Sequence, residues 1–151
     1  MAPREVSSIE VGQTYLELHH QLHRHVDQVM SAAGLSLARA KVLMRLSEGG
    51  PMNQAKLAGI LGFAPRSVTD TVDALERDGL VTRTEDERDR RARIVSVTPA
   101  GSDALEAALL VRSKVMDEIF GSLPAADRAV LVDLLRTVKT NFPSGENSCA
   151  Q

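Results

Sequence analysis

Residues Asn53–Gly101 read NQAKLAGILGFAPRSVTDTVDALERDGLVTRTEDERDRRARIVSVTPAG, and within them the periodicity changes twice. Asn53 is a capping residue for a short helix holding Leu57, Ala58 and Leu61, and Gly62-Phe63 interrupts it. Pro65 suits the first position of the next helix, where Val68, Val72 and Leu75 recur at helical spacing, and Asp78-Gly79 closes it. Two β-branched segments follow, Leu80-Val81-Thr82-Arg83 and Ile94-Val95-Ser96-Val97. The charged run Thr84–Arg93 lies between them, which makes a hairpin with an exposed tip. Thr98-Pro99, cap and first helical position, then opens a long helix.

Outward from this stretch the chain is helical. A helix over roughly residues 9–33 places Tyr15, Leu18, Leu22 and Val29 on one stripe, with Val26 and Met30 beside it, and Gly34 ends it. A helix of about a dozen residues follows, burying Val42, Leu43 and Leu46, with Gly49-Gly50-Pro51 as the stop. Downstream, Leu105, Leu109, Met116, Ile119, Phe120 and Leu123 form the apolar side of the long helix, which breaks near Gly121 and Pro124. A last helix, roughly 125–142, carries Val130, Leu131, Leu134, Leu135, Val138 and Phe142. The first eight residues and the tail from Pro143 are polar or small and are expected to fray. The first and last helices have more apolar face than one short helix can cover. They are expected to pack together, and against another copy of the chain.

Composition bounds the possibilities. A chain of 151 residues, 43% hydrophobic and 25% charged, is one ordinary globular domain. With no Trp, one Tyr and three Phe, its core must be aliphatic. No apolar run is long enough to span a membrane, and no secretory leader pattern opens the chain. One cysteine makes neither an internal disulfide nor a Cys-rich zinc site, so a cytoplasmic protein is expected. The net charge of −2 gives no global attraction to nucleic acid. Only residues 36–100 are net positive, by +2, and the excess sits in Arg83, Arg88, Arg90, Arg91 and Arg93.

A helix-turn-helix needs a small residue where its helices touch, a glycine in the turn and a branched anchor in the second helix. Ala58, Gly62 and Val68 meet these needs in order, and the second helix then turns Arg66, Ser67, Thr69, Asp70 and Asp73 outward. Such a helix fits the major groove of B-DNA, about 12 Å wide. The same triplet also suits a plain αα corner.

The hairpin directly after it separates these readings. Here the chain resembles the MarR (multiple antibiotic resistance regulator) family of winged helix-turn-helix transcription regulators. The resemblance rests on Leu57-Ala58, Gly62-Phe63, Val68-Thr69, Val72-Asp73-Ala74-Leu75, Gly79-Leu80-Val81, Arg83, Asp89-Arg90-Arg91 and Val97-Thr98-Pro99-Ala100-Gly101. It covers nearly the whole chain, to Phe142. It implies a mainly α fold with a small β-hairpin wing, a single domain over 1–151, a DNA-binding lobe at about 36–98 and dimerisation helices at about 9–33 and 99–142. It implies a homodimeric, ligand-responsive repressor whose partners are double-stranded DNA, itself and a small aromatic or phenolic effector, with no cofactor. The DNA-binding residues would be Arg66, Ser67, Thr69, Asp70, Arg83, Arg88, Asp89, Arg90 and Arg91. Arg91 would be the wing-tip arginine, Asp89 the buttress of the turn and Arg83 a group near the wing base. A long cation suits a narrow A·T-rich minor groove, and Asp89 can accept hydrogen bonds from wing backbone or from Arg83. The other wing acids are expected to pair with the wing base.

Two positions depart from the family pattern. Ala64 stands where relatives often have a capping serine. Asp70 stands where many have a basic or neutral residue, and it either accepts from cytosine N4 or, the favoured reading, orients Arg66 four residues earlier. His19, His20, His23 and His25 crowd the first helix. The spacing of His19 and His23 could chelate zinc, but no Cys or acidic partner stands at ligand spacing, so a solvated or interface face is the simpler account. His25 falls on the apolar stripe and is expected to be half-buried at the dimer interface. Cys149 lies in the tail, away from any thiolate-stabilising pocket. Tyr15, His19, Met44 and Arg45, polar tips beside apolar surface, are the candidates for an effector pocket. No nucleophile elbow, phosphate loop or metal cluster points to an enzyme. The alternatives are a dimeric interaction protein whose hairpin binds protein, and a metal sensor using the histidines.

Overall fold

The computed structural model describes residues 4–89 and 91–142. The elements, in order, are α1 (Ser8–Ala32), α2 (Leu37–Gly49), β1 (Met52–Asn53), α3 (Gln54–Leu61), α4 (Pro65–Arg77), β2 (Val81–Glu85), β3 (Arg93–Val97), α5 (Pro99–Phe120) and α6 (Ala125–Thr140). The fold is mainly α with a small three-stranded antiparallel sheet of order β1-β3-β2. The chain divides into two compact units, with the boundary after Ser113.

The first unit holds an aliphatic core. Met30, Val42, Leu43, Leu57, Val68, Val72, Leu75, Val81 and Val95 are all fully buried, and a buried Leu or Val contributes about 1.5–3 kcal/mol relative to exposure. On α1 the buried residues are Val26 and Met30, not the stripe beside them. Tyr15 and Leu18 of that stripe are exposed in the single chain, and so is His25, whose expected half-burial concerns a dimer interface. The reason is local. The α1–α2 connection is pinned by the Leu37 N–H donating to Asp27 Oδ1 at 2.9 Å, which directs the C-terminal turns of α1 onto the core.

Caps and turns set the element boundaries. The side chains of Ser7, Ser36 and Asn53 accept from backbone N–H groups at the starts of α1, α2 and α3. Gly62 sits at φ +65°, the left-handed conformation that closes the α3–α4 turn. Lys41 of α2 lies over the Phe63 ring of that turn, 5.9 Å from its centre. Pro65 occupies the first turn of α4, and Ala64 makes no side-chain cap bond. β1 was not visible in the sequence. Two residues after Pro51 are too few to show a period, yet Met52 pairs with Val95 and Asn53 with Ile94. Asn53 has an extended backbone, so it ends the strand and caps α3 at once.

The wing strands pair from Val81↔Val97 through Arg83↔Val95 to Glu85↔Arg93. Their base joins α5 tightly. The Thr98 N–H donates to the Leu80 carbonyl at 3.1 Å, and the Thr98 hydroxyl donates to the Gly79 carbonyl at 2.7 Å. The same hydroxyl accepts from Gly101 N–H at 3.0 Å, capping α5. A Cβ on residue 101 would stand 2.0 Å from the Leu80 oxygen.

In the second unit, α5 ends at Phe120 and Pro124 precedes α6. The Arg128 guanidinium donates to the Leu123 carbonyl at 2.9 Å, closing the turn between them. α6 buries no residue in the single chain. Val130, Leu134, Leu135, Val138 and Phe142 are exposed.

Gly101 and Gly59 should therefore respond oppositely to alanine. Gly59 lies inside α3, and an added Cβ meets nothing within 4 Å. Gly101→Ala should cost about 1–3 kcal/mol through forced backbone displacement. Gly59→Ala should stabilise by about 0.5–1 kcal/mol through helix propensity. Urea unfolding of the two variants checks both signs.

Candidate nucleic-acid interface

α4 presents its polar side to solvent. Arg66, Ser67, Thr69, Asp70, Asp73 and Glu76 are exposed, while Val68, Val72 and Leu75 on the opposite side are buried. Arg66 and Asp70 form no ion pair among the described residues, which corrects the reading of Asp70 as the group orienting Arg66. An acid placed four residues after its base is the weaker orientation for a helical pair. Asp70 therefore stands as an open acceptor.

Arg83 does not turn to the wing tip. Its side chain is only 13% exposed and reaches across to α4. One terminal nitrogen donates to Glu76 Oε2 at 2.6 Å, the other bonds Asp73 Oδ1, and Nε donates to Gln54 Oε1 at 3.1 Å. Gln54 in turn donates through Nε2 to Thr69 Oγ1 at 3.1 Å. One guanidinium thus links β2, α3 and α4. Partial burial opposes its charge, but the hydrogen bonds it donates to the two carboxylates and their Coulomb attraction outweigh that and raise its pKa above the ordinary value. A raised arginine pKa adds stability that is present below the unfolded value and lost only at more alkaline pH, so Arg83 stays charged at neutrality. A second cross-link ties Arg39 of α2 to Asp78 at the end of α4.

The wing tip is built by its own acids. Asp86 Oδ1 accepts from Arg88 N–H at 2.9 Å, and Asp89 Oδ1 accepts from Arg91 N–H at 3.0 Å. The Ala92 N–H donates to the Asp89 carbonyl at 2.9 Å and the Asp86 N–H to the Ala92 carbonyl at 3.1 Å. Of the two bonds open to Asp89, the one to wing backbone forms and the one to Arg83 does not. Asp86 likewise shapes the turn instead of pairing with the wing base. Short acidic side chains bond more readily to the backbone two residues on than to a distant cation. The Arg88 and Arg91 side chains are exposed, and among the described residues neither has an ion-pair partner. Arg90 lies outside the described residues, as does Cys149.

The other candidates fall on α1 and α2. The Tyr15 and His19 rings stack at 6.1 Å, and His23 follows at 6.1 Å from His19. Arg45 pairs with Glu48 at 3.3 Å, and Met44 is half-buried. No hydrogen bond or ring contact joins the α1 pair to the α2 pair among the described residues. Nor do three or more His, Cys, Asp or Glu side chains gather there as metal ligands. Gln54, Glu76 and Arg39 were not singled out in the sequence, and Asp78 only as a helix end. Arg83 and Gln54 stand 29 residues apart, and no spacing rule links them.

A family model described as "MarR family" matches residues 35–92. The transcriptional activatory protein BadR of Rhodopseudomonas palustris is 33% identical over 137 residues, covering 87% of this chain and 77% of BadR. The chain belongs to the MarR family. It is a transcription regulator with a winged helix-turn-helix fold. Among solved structures, apo MarR from Escherichia coli matches with a TM-score of 0.79 at 22% identity, over 89% of this chain and 98% of that one. A mutant of that MarR complexed with operator DNA matches at 0.70 and 24% identity, over 86% and 94%. Bordetella bronchiseptica BpsR, described in connection with regulation of its DNA binding by 6-hydroxynicotinic acid, matches at 0.70 and 23%, over 86% and 98%.

In this MarR-family chain the Arg83 cluster should be measurable. Hydrogen bonds to charged groups contribute about 1.5–3 kcal/mol each when well shielded, and the half-exposed carboxylates reduce that through solvent screening. Arg83→Met should lower stability by about 1–2 kcal/mol in urea unfolding. Asp73→Asn with Glu76→Gln should recover part of the loss by relieving the carboxylates left unpaired. An unchanged midpoint for Arg83→Met would remove the cluster from the account of wing placement.

Proposed function

We propose that this MarR-family chain is a ligand-responsive repressor that binds a pseudo-palindromic operator as a homodimer. One observation carries the reading: an arginine-tipped wing tied through Arg83 to an outward-facing α4. In this reading α4 enters the major groove, where Arg66, Ser67, Thr69 and Asp70 face the bases or nearby phosphates. Asp70, with no arginine partner, accepts from cytosine N4. The wing reaches the adjacent minor groove with Arg91, supported by Arg88 and Arg90, while Asp89 holds the turn. Arg83 acts behind this surface as a positioning group. The operator-bound MarR structure is a precedent for DNA binding by this fold.

The DNA-binding lobe is assigned to about residues 36–98 and the dimerisation helices to about 9–33 and 99–142. The exposed apolar residues favour this division, Ile9, Val11, Leu16 and Leu18 on α1, Leu134, Leu135 and Val138 on α6, and Phe142 just after it. A second copy is the occupant that symmetric DNA half-sites require. A small, weakly acidic aromatic compound is the proposed effector, with Tyr15, His19, Met44 and Arg45 as its contacts. BpsR, whose described regulator is an aromatic acid, supports that class. The protein acts in the cytoplasm with the DNA it regulates. Among the described residues no helix is long and apolar enough to cross a membrane.

Selection of bound sites from random duplex DNA, followed by a reporter assay for the direction of regulation, tests the function. Enriched inverted repeats with half-sites about one helical turn apart, 34–36 Å, are expected, with reporter output falling. A protein-binding hairpin would give no enrichment.

Arg91→Ala should weaken binding, flatten the salt dependence by about one unit per half-site and reduce preference for A·T flanks. At a hairpin tip it should change stability by less than about 0.5 kcal/mol. Asp89→Ala should weaken binding by loosening the turn. Titrations at several salt concentrations, with circular dichroism as folding control, measure this. Unchanged affinity, slope and flank preference for Arg91→Ala would reject the wing assignment.

Assembly has its own measurement. Sedimentation at micromolar concentration should give a dimer, and Leu134→Asp should give a folded monomer with weakened DNA binding. A wild-type monomer with the same DNA affinity would reject the homodimer.

A further inference from the structure

The hydrogen bonds of α4 sort its outward polar groups. Asp73 and Glu76 accept from Arg83. Gln54 uses its carbonyl on Arg83 and its amide on Thr69. The Thr71 hydroxyl donates to the Ser67 carbonyl at 2.7 Å. Thr69 Oγ1 accepts from Gln54 and donates to the Pro65 carbonyl at 3.1 Å. A threonine hydroxyl has one proton, so Thr69 has no donor left for a ligand. Its hydroxyl is held from both sides, and a β-branched side chain fixed in this way has no freedom at χ1. Thr69 is nevertheless exposed. Beyond one remaining acceptor lone pair, the group it can still offer is its methyl.

We propose that Thr69 is a specificity-determining residue that reads thymine by methyl contact, with Gln54 holding its hydroxyl out of the readout. The inference rests on α4 entering the major groove, as proposed above. Thymine alone among the four bases carries a C5-methyl there. A free threonine hydroxyl would rotate to suit either donors or acceptors and tolerate several bases. A hydroxyl held by Gln54 and Pro65 removes that tolerance. Because Gln54 is also bonded to Arg83, the same link makes the readout depend on the strand that carries the wing.

The test uses the full chain and a site selected from random DNA. Each thymine of that site is replaced in turn by deoxyuridine, which lacks only the C5-methyl. One thymine in each half-site should weaken wild-type binding about fourfold per half-site when replaced, the worth of one buried methylene. Thr69→Val keeps the methyl and should keep this sensitivity. Thr69→Ser loses the methyl and should bind both DNAs equally. Gln54→Ala leaves the bond to Pro65 but returns an acceptor site to the hydroxyl, and should relax base selection at the same position. Circular dichroism confirms that each variant folds. The inference is overturned if no thymine methyl matters to the wild type, if Thr69→Ser stays as sensitive, or if Thr69→Val loses the effect. It is also overturned if Gln54→Ala selects as strictly as wild type. Failure to enrich any sequence would reject the DNA-binding reading together with this one. An enriched site indifferent to the methyl would reject this one alone.

Discussion

The Leu80 carbonyl is the point at which α4, the wing and α5 meet. α4 has just ended, the wing is about to begin, and the chain returns to this oxygen when the wing is complete. Thr98 donates to it, and α5 starts so close that only a glycine fits at residue 101. Both ends of the wing are thereby held to the C-terminal end of α4. A two-stranded ribbon alone is marginal in water, and these contacts at its base, with the short pairing of β1 on β3, remove that weakness.

Holding the base does not by itself fix the angle between strand and helix. Arg83 supplies that second constraint. Its planar fork of donors meets two carboxylates and one amide from α4 and α3, a geometry that a lysine ammonium could not reproduce. The electrostatic consequence is as important as the mechanical one. Without the guanidinium, α4 would turn Asp70, Asp73 and Glu76 toward phosphates. With it, one of those three negative charges is offset, and Asp73 and Glu76 share a single counter-charge. The wing strand thus lowers the acidity of the helix without cancelling it.

Much of this architecture was legible in the residues. Asn53, Gly62, Pro65 and Thr98 each carry local chemistry that marks a boundary, and each stands where that chemistry requires. Val68, Val72 and Leu75 are buried because their spacing leaves no other face for the core. The motif ending in Gly101 was recognisable as a pattern, but its cause, the approach to the Leu80 oxygen, is tertiary. Arg83 was recognised as a wing-base residue, but of the two bonds open to Asp89 the one to Arg83 does not form, and its partners on α4 were not foreseen. The pairing depends on how strand and helix cross, and periodicity carries no information on that. The α1 stripe shows what periodicity leaves open. Amphipathic spacing places an apolar face but does not say whether it meets the chain's own core, so Tyr15 and Leu18 are open while Val26 and Met30 are covered.

A chain of net charge −2 gains nothing from long-range attraction to DNA. At physiological ionic strength the screening length is about 8 Å, so charges beyond that distance from the phosphates count little in either direction. What matters is the set of charges that arrives within that distance together. The wing acids bear on this through geometry. Asp86 and Asp89 direct their carboxylates to backbone N–H groups at the turn, whereas Arg88 and Arg91 stand exposed beside it, and so do Glu85 and Glu87, with no ion-pair partner among the described residues. Two of the four wing acids are thus spent on the backbone, which shifts the balance of free side chains toward the arginines. Local separation of charge, set by hydrogen bonds two residues apart, therefore governs what this wing presents to a polyanion, and net charge does not.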